Sequence, residues 1–348
     1  MNDNLRLTQY SAGGGCGCKI SPADLKQIIS SCEKSQVIDA QLLVGNESMD
    51  DAAVYDLKNG QVLISTTDFF TPIVDDPFDF GRIAAVNAMS DVYAMGGKPI
   101  FALAILGWPL AKLSAETAAR VIEGARSVCS SVGILIAGGH SIDIPEPVFG
   151  LVVNGLAPID SYKQNCKATA GCRLFLSKPL GIGAISNAAK HSKVTPADYN
   201  EAIGWMTRLN TLGPAVASLK GLTAMTDVTG FGLGGHLLEV CKGSNLVAEL
   251  DFDALPLLNG FKDYIDQGLI PGGTRRNFKS YGHQIAPMDE QRRMIICDPQ
   301  TSGGLLMAVE EAYIHEFMDI VKNENAFVKE IGLLMKRTDE TEFIRFKE

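Results

Sequence analysis

The sequence predicts an α/β (α+β) protein in which two domains follow a glycine-rich tail. With 348 residues, the chain is about twice the length of an ordinary domain. Strand-like and helix-like segments alternate along most of it, and the alternation stops only in the polar stretch 158–171. We therefore expect a mobile tail over 1–20, one domain over 21–157 and a second over 170–348. The alternation alone does not distinguish a parallel from a mixed sheet.

The first predicted domain begins with a helix at Ser21-Pro22, where serine is a favoured cap and proline a favoured first helical residue. Segments 52–56 and 61–66 are typical of strands that form a hairpin around Lys58-Asn59-Gly60. The later patterns predict a helix over 78–95, a buried strand over 100–106, a helix over 114–131 that ends before Gly133, and strands over 134–137 and 148–156.

The second predicted domain continues in the same style without a sequence repeat. Its predicted elements are a strand over 174–177, a helix capped by Thr195-Pro196, a glycine loop over 230–235, and strands over 246–250 and 305–309. The loop Gly230 to Gly235 matches the dinucleotide pattern G-x-G-x-x-G. However, the preceding segment 223–226 is short and half polar, and Asp227 would repel a bare pyrophosphate. The pattern therefore favours a magnesium-bound phosphate over a dinucleotide.

Composition and charge exclude several classes of protein. Apolar residues make up 46% of the chain and charged residues 20%, which is typical of a compact globular protein. The formal net charge of -9, without a local basic stripe, argues against nucleic acid as a partner. No signal sequence or membrane-length apolar run is visible, so we expect a cytoplasmic protein. In that reducing compartment the eight cysteines are not expected to form a disulfide framework.

Aspartates occupy positions that solubility alone does not explain. Asp50-Asp51 closes a polar turn just before a predicted strand, and Asp68 follows an apolar strand. Asn87 and Asp91 are four residues apart on one face of an otherwise apolar helix. A buried carboxylate needs a cation or hydrogen bonds, so the joint distribution favours a metal site, although each aspartate alone could cap a turn or face water.

Two glycine-containing motifs are candidates for phosphate binding. Ala137-Gly138-Gly139-His140-Ser141 follows a predicted buried strand, so its backbone amides could form a concave anion site. The segment 298–304, with the sequence Asp-Pro-Gln-Thr-Ser-Gly-Gly, is interpreted as a turn that leads into a strand. Standard P-loop and protein-kinase motifs do not occur in the sequence.

The tail contains the segment Cys16-Gly17-Cys18-Lys19, flanked by glycines. If the tail is extended, Cys16 and Cys18 project to the same side, and Lys19 is close enough to favour a thiolate. Glycines on both sides would let the tail fold over a site and withdraw, as a lid that carries a nucleophile must. The alternatives are an uninvolved terminus or an incidental metal-binding pair of cysteines.

Taken together, these segments resemble the selenophosphate synthetases (selenide, water dikinases), which belong to the aminoimidazole ribonucleotide synthetase-like superfamily. The segments that carry the resemblance are Cys16 to Lys19, Gly45 to Val54, Thr66 to Phe70, Ala137 to Ser141, Thr226 to Gly232, Gly272-Gly273-Thr274 and Asp298 to Gly304. The match covers nearly the whole chain, and the Cys-Gly-Cys-Lys tail separates this family from its relatives.

The resemblance implies a two-domain fold with mixed sheets and a mobile glycine-rich tail, in which residues 21–157 bind ATP and magnesium and pair in a homodimer. It implies the synthesis of selenophosphate from selenide, ATP and water, with release of AMP and orthophosphate. By position, Cys16 and Lys19 are the implied catalytic residues, and Cys18 is present but not required. The implied magnesium ligands are Asp51, Asp91 and Asp227. The implied ATP contacts are Lys19, Ser48, Met49, Asp50, Asp68, Asp91, Gly139, His140 and Ser141.

Several points stay open at the level of sequence. The charge of two transferable phosphates favours more than one Mg²⁺, but the number of ions, a requirement for a monovalent cation, and the selenium donor, selenide or a delivery protein, are undetermined. One alternative is another enzyme of the superfamily, such as a small-molecule kinase that forms ADP instead of AMP. Others are a non-enzymatic selenium or metal carrier built on Cys16 and Cys18, and an NAD-binding protein whose cofactor binds without Mg²⁺.

Overall fold

Two mixed sheets organise the protein. The structure, a computed structural model, describes residues 5–20, 22–31, 39–45, 50–338 and 341–347, and its strands form one six-stranded sheet in each half of this part of the chain. The two-domain fold with mixed sheets that the sequence predicts is therefore confirmed. No helix within these ranges is both long enough and apolar enough to span a bilayer.

The first domain consists of a sheet covered by helices. Its elements are α1 Pro22–Ser30, β1 Leu42–Val44, β2 Ala53–Asp56, β3 Gln61–Phe70, α2 Pro77–Ala94, β4 Lys98–Trp108, α3 Ala115–Ser131, β5 Ile136–Asp143 and β6 Val148–Pro158. The strand order is β1-β2-β3-β6-β4-β5, with antiparallel neighbours except for the parallel pair β4 and β5. Strands β2 and β3 form the predicted hairpin, so residues just before β2 and residues of β3 lie side by side.

Helix α2 lies at the centre of the molecule and carries Asn87 and Asp91, two of the residues that the sequence marks as site candidates. The Asp76 side chain caps it by accepting from the backbone N–H of Asp79, and Pro77 takes its first position. Most of α2 is buried because it packs on the first sheet, on α3 and on the second domain. Gly81 and Gly124 allow α2 and α3 to approach closely, since a Cβ on either glycine would collide with a backbone carbonyl of the other helix.

The second domain contains the other sheet. Its elements are β7 Cys172–Leu176, α4 Ile182–Lys190, α5 Pro196–Met206, α6 Leu212–Val216, β8 Leu222–Asp227, α7 Gly232–Ser244, β9 Leu246–Leu250, α8 Phe261–Asp266, α9 Gly272–Tyr281, α10 Glu290–Ile296, β10 Leu305–Glu310, α11 Ile314–Asn323, β11 Lys329–Lys336 and β12 Ile344–Phe346. The strand order is β12-β9-β11-β7-β10-β8, antiparallel except for the parallel pair β9 and β12.

The short, half-polar segment 223–226 is part of β8, an edge strand that pairs antiparallel with β10. The glycine loop after it therefore does not follow a parallel strand, as a dinucleotide-binding loop would. This geometry agrees with the sequence argument against a dinucleotide at Gly230 to Gly235.

The predicted strand over 134–137, with an anion-binding loop after it, is wrong in its boundaries. Strand β5 starts at Ile136 and continues through Gly139, His140 and Ser141 to Asp143. These residues pair with β4, and a Cβ on Gly139 would collide with the backbone of Ala104. Gly139 is thus needed for close strand pairing, and the segment forms an exposed sheet edge instead of a concave loop.

The glycine-rich tail lies in the cleft between the domains. Its described part, residues 5–20, contains short 3₁₀ turns at Leu7–Tyr10 and Gly15–Cys18. Asp75 holds its first turn, accepting from Arg6 Nε at 2.9 Å and from Thr8 Oγ1 at 2.5 Å. Contacts with both domains, not local propensity, thus determine the docked conformation of this glycine-rich segment.

Candidate active site

Three carboxylates from different parts of the chain meet at the domain boundary. Asp51 lies just before β2, Asp91 lies in α2, and Asp227 ends β8 in the second domain. One oxygen from each of these side chains lies within 4.8 Å of the others. These are the three aspartates that the resemblance implies as metal ligands. Their convergence requires both domains, so the site exists only when the domains are packed together.

Hydroxyl groups orient this cluster of carboxylates. Thr226 Oγ1 donates to Asp51 Oδ1 at 2.8 Å, and Thr66 Oγ1 donates to Asp91 Oδ2 at 2.5 Å. The hydroxyl of Ser90 donates to Asp227 Oδ2. Sequence reasoning missed these hydroxyls. Two of them carry a sequence signal, a position next to an aspartate, as in Ser90-Asp91 and Thr226-Asp227.

The cluster fits a divalent cation. Asp51 Oδ2 is buried without a hydrogen-bond partner in the described part of the chain. An unpartnered buried oxygen is costly, and an oxygen-binding cation such as Mg²⁺ would satisfy it. Burial, and then the neighbouring carboxylates, raises the pKa of Asp51 and of Asp91 well above the ordinary range. Burial also raises the pKa of Asp227. A bound cation would therefore displace protons that these carboxyl groups otherwise retain.

A second network joins the tail to the first domain beside the carboxylates. Lys19 Nζ lies 3.3 Å from Asp68 Oδ2, which also accepts from Asn87 Nδ2 at 2.5 Å. The Cys16 thiol donates to Asn87 Oδ1 at 3.2 Å. The structure thus brings both predicted catalytic residues, Cys16 and Lys19, to Asp68. Asn87, which the sequence marked only as a partner of Asp91 on one helix face, connects them.

The two tail residues differ in their preferred charge. Burial, and secondarily the Asp68 carboxylate, raises the pKa of the Cys16 thiol, and these effects outweigh the opposing effect of Lys19. Lys19 thus favours the thiolate, as the sequence predicts, but burial outweighs it and the docked tail retains the neutral thiol. Burial acts to lower the pKa of Lys19, but Asp68 and the neighbouring acidic groups raise it beyond its ordinary value, so Lys19 keeps its charge.

Cys16 and Cys18 do not project to the same side of the tail. Both lie in the 3₁₀ turn Gly15–Cys18, in which Cys16 is buried and Cys18 is exposed. The prediction of a common side assumed an extended chain, whereas the turn rotates the two side chains apart. Of the two cysteines, only Cys16 is buried at the site, where its thiol contacts Asn87.

The segment 298–304 has a larger role than the sequence suggested. Thr301 Oγ1 accepts from the Cys16 backbone N–H at 2.9 Å, and the Ser302 N–H donates to Asn87 Oδ1 at 2.8 Å. Buried Asp298 accepts from Gly183 N at 3.0 Å, and burial raises its pKa to about 8. This loop therefore forms hydrogen bonds with the tail, the first domain and the rest of the second domain. In the sequence, the sign of this role was the polar segment itself, which lies directly before an apolar strand.

The remaining implied ATP contacts are not brought together by the described part of the chain. Ser48 and Met49 are outside the described residues. The Asp50 carboxylate accepts from the backbone N–H of Asn165 at 2.7 Å, in the segment that links the two sheets. Gly139, His140 and Ser141 lie in β5, three strands from β3 and about 14 Å across the sheet at normal strand spacing.

Comparisons with solved structures show the same fold. A thiamine-monophosphate kinase from Stenotrophomonas maltophilia K279a superimposes with a TM-score of 0.64 at 18% identity, covering 95% of this chain and 96% of that one. E. coli HypE, a hydrogenase maturation protein, gives 0.63 at 17% identity, covering 91% and 87%. Models of the AIR synthase related N-terminal and C-terminal domains match residues 49–157 and 169–345. Fold, site and family models thus define an AIR synthase related protein.

Closer relatives define the family within that class. Proteins named "Selenide, water dikinase" are 56% identical in Photobacterium profundum (97% of this chain, 98% of the relative), 52% in Haemophilus ducreyi (99% and 99%) and 58% in Escherichia coli O157:H7 (89% and 89%). The chain belongs to the selenide, water dikinase family.

Proposed function

We propose that this protein synthesises selenophosphate from selenide, ATP and water, releases AMP and orthophosphate, and so supplies activated selenium for selenocysteine and selenouridine synthesis. The observation that carries this proposal is the position of the tail. A cation, Lys19, contacts Asp68 directly and a thiol, Cys16, is joined to Asp68 through Asn87, beside a three-carboxylate cluster suited to Mg²⁺. The names of the relatives at 52–59% identity supply the substrate.

Asp51, Asp91 and Asp227 are the residues that would hold magnesium. When bound, Mg²⁺ offsets the negative charge of the ATP phosphates and favours transfer of a phosphoryl group. The three hydroxyl donors, from Thr66, Ser90 and Thr226, keep the carboxylate oxygens oriented. The proposal includes more than one Mg²⁺ ion, and a monovalent cation requirement is tested by exchanging the salt in the assay.

Cys16 and Lys19 divide the work at the reacting centre. Lys19 remains charged and binds the phosphate oxygens, while Cys16 holds the selenium donor near the γ-phosphorus. The γ-phosphoryl group then joins selenium, and water releases the β-phosphate as orthophosphate, which leaves AMP. Burial of Cys16 excludes bulk water from the selenium. Asn87 orients both residues through its contacts with Cys16 and Asp68.

We also propose a cytoplasmic homodimer that pairs through the first domain. Strand β5 is a sheet edge, and Leu135 and Ile142 beside it are 72% and 54% exposed. Apolar, unpaired sheet edges are favourable surfaces for a second chain. A partner there would cover Gly139, His140 and Ser141, so these implied ATP contacts would lie at the dimer interface. Analytical ultracentrifugation tests the dimer, and Ile142→Lys should dissociate it without unfolding the monomer.

The reaction is tested by incubating the protein with ATP, Mg²⁺ and selenide under anaerobic, reducing conditions. Phosphorus NMR should show a selenium-bonded phosphate together with AMP and orthophosphate. Cys16→Ser and Lys19→Ala should each abolish this product, whereas Cys18→Ser should retain it. ADP as the product would indicate a small-molecule kinase of the same class. Stoichiometric selenium binding without ATP consumption would indicate a carrier.

A further inference from the structure

A cavity of about 260 Å³ lies beneath the docked tail, next to Cys16 but outside the carboxylate cluster. We call it the vestibule and define it by six of its lining residues, Thr8, Ile73, Asn187, Lys190, Gly272 and Arg276. It is bounded by the tail, the end of α4 and the start of α9. A cavity of this volume can hold several water molecules or a small hydrated ion.

The vestibule carries positive charge in a protein whose net charge is -9. Lys190 and Arg276 line it, and none of the lining residues in the described ranges of the chain is acidic. Their hydrogen bonds go to backbone carbonyls of the tail. Lys190 Nζ donates to Ser11 O at 2.8 Å and to Ala12 O at 3.0 Å, and Arg276 Nη2 donates to Gly17 O at 2.8 Å. Carbonyl oxygens are neutral overall, so both cations keep an attraction for anions.

The vestibule borders the catalytic residues of the tail. Gly17, Gly273 and Arg276 line it and also line a smaller pocket of about 10 Å³ that contains Cys16 and Lys19. The contact between Arg276 and Gly17 therefore stands between the outer cavity and the thiol. Gly17 has no side chain that would add to this barrier, and the backbone of a glycine is conformationally permissive.

The two substrates of the proposed reaction are both anions, and the acidic side of the site suits only one of them. Asp51, Asp91 and Asp227 attract Mg²⁺ and, through it, ATP, but they repel a free monoanion. Phosphoryl transfer also places the nucleophile opposite the leaving group. A selenium nucleophile should therefore approach Cys16 by a route that avoids the carboxylates, and the vestibule is lined by none of the three.

We infer that the vestibule is the access route for the anionic selenium substrate, the hydroselenide ion, and that Lys190 and Arg276 attract this anion toward Cys16. The inference rests on the proposed function for the identity of the anion, but the positive vestibule itself can be tested without selenium chemistry. Lys190 and Arg276 also hold the tail, so the experiment must separate attraction of an anion from closure of the tail.

Alkylation of Cys16 distinguishes attraction of an anion from closure of the tail. Iodoacetate and iodoacetamide have similar size and alkylate the same Cys16 sulfur, so its protonation affects both rates alike, but only iodoacetate is an anion. The full-length protein with Cys18→Ser is treated with each reagent, and mass spectrometry measures the modification rate of Cys16. We expect the iodoacetate-to-iodoacetamide rate ratio to fall by about 5- to 10-fold in Lys190→Met/Arg276→Met at low salt. Added salt should lower the wild-type ratio toward the variant value.

Two control variants complete the alkylation test. Lys190→Arg/Arg276→Lys preserves both charges and should preserve the ratio, even where its contacts with the tail weaken. Lys220→Met removes an exposed charge elsewhere in the second domain and should leave the ratio unchanged. If both reagents react faster with the double Met variant by the same factor, Lys190 and Arg276 only hold the tail closed. That result, or an unchanged ratio, overturns the inference.

Steady-state kinetics then test the identity of the anion. In the double Met variant, kcat/KM for selenide should fall by a factor similar to the alkylation ratio, while KM for ATP stays within about 2-fold of wild type. A rise in KM for ATP with unchanged kcat/KM for selenide would show that the vestibule serves ATP and not selenide, and would overturn the inference. If wild-type protein forms no AMP with selenide, the proposed function fails, and the alkylation ratio still reports independently on the vestibule.

Discussion

Asp51→Asn should have opposite effects on stability in the absence and in the presence of Mg²⁺. Its oxygen lies within 4.8 Å of oxygens of Asp91 and Asp227. At that separation and an effective dielectric constant of ~20, two unit charges repel by about 3 kcal/mol. The carboxyl groups avoid part of this repulsion by retaining protons, so we expect the metal-free variant to gain about 2–4 kcal/mol. The asparagine oxygen can still accept from Thr226.

The assay is thermal unfolding of the wild type and the variant in EDTA and in Mg²⁺. In EDTA the midpoint of Asp51→Asn should rise by several degrees, given ~2–4 °C per kcal/mol for domains of 150–250 residues. Saturating Mg²⁺ should stabilise the wild type, by about 3 kcal/mol at a hundred times the dissociation constant. The variant should not respond. Asp253→Asn, an exposed carboxylate in the second domain, serves as the charge control and should behave like wild type.

The pH dependence gives a second readout of the same cluster. The pKa values of Asp51 and Asp91 are raised in the folded protein, so the folded state binds these protons more tightly than the unfolded chain does. The resulting stabilisation is complete below the unfolded pKa and is lost as the pH rises through the folded values. Wild-type protein in EDTA should therefore lose stability toward neutral pH more steeply than Asp51→Asn. Lower stability of the variant in EDTA, or a retained Mg²⁺ response, would refute this reasoning.

Three further substitutions test the residues around the tail. Asn87→Ala leaves the Ser302 N–H buried without its acceptor and should lower the free energy of unfolding by about 2–4 kcal/mol in denaturant titrations, whereas a loss below 1 kcal/mol would contradict the network. Asp298, whose pKa is raised to about 8, stabilises the fold at acid pH and loses that contribution as the pH rises to 8. Asp298→Asn should therefore flatten the stability profile between pH 5 and pH 8 by at most about 4 kcal/mol, and an unchanged slope would contradict the assignment. Ser302 has φ +53° and a buried hydroxyl without a partner among the described residues, so Ser302→Gly should stabilise the protein by about 1–2 kcal/mol. The control Asn245→Gly, at an exposed left-handed position, should gain less, and equal gains would show that the Ser302 hydroxyl costs nothing.

Much of the local structure follows from short-range signals. Pro77 and Ser114 mark the starts of α2 and α3, and the turn around Lys58-Asn59-Gly60 joins two strands. Caps and hairpin turns depend on residues a few positions apart, which is why the sequence predicts them well. The prediction failed at β5, because Gly138 and Gly139 have the composition of a loop. Pairing with β4, in which Gly139 lies against the backbone of Ala104, makes this segment part of a strand.

The sequence by itself determined the two-domain α/β class, the aspartates that could bind a metal, and the reactive tail with Cys16 and Lys19. Tertiary structure decided how these parts combine, since the decisive contacts join residues far apart in the chain. Cys16 contacts Asn87 across 71 positions and Thr301 across 285. Burial at that junction, which no local pattern encodes, raises the pKa of the Cys16 thiol. The same packing of two domains brings Asp227 to Asp51 and Asp91, because a cation site needs its ligands close in space, not in sequence.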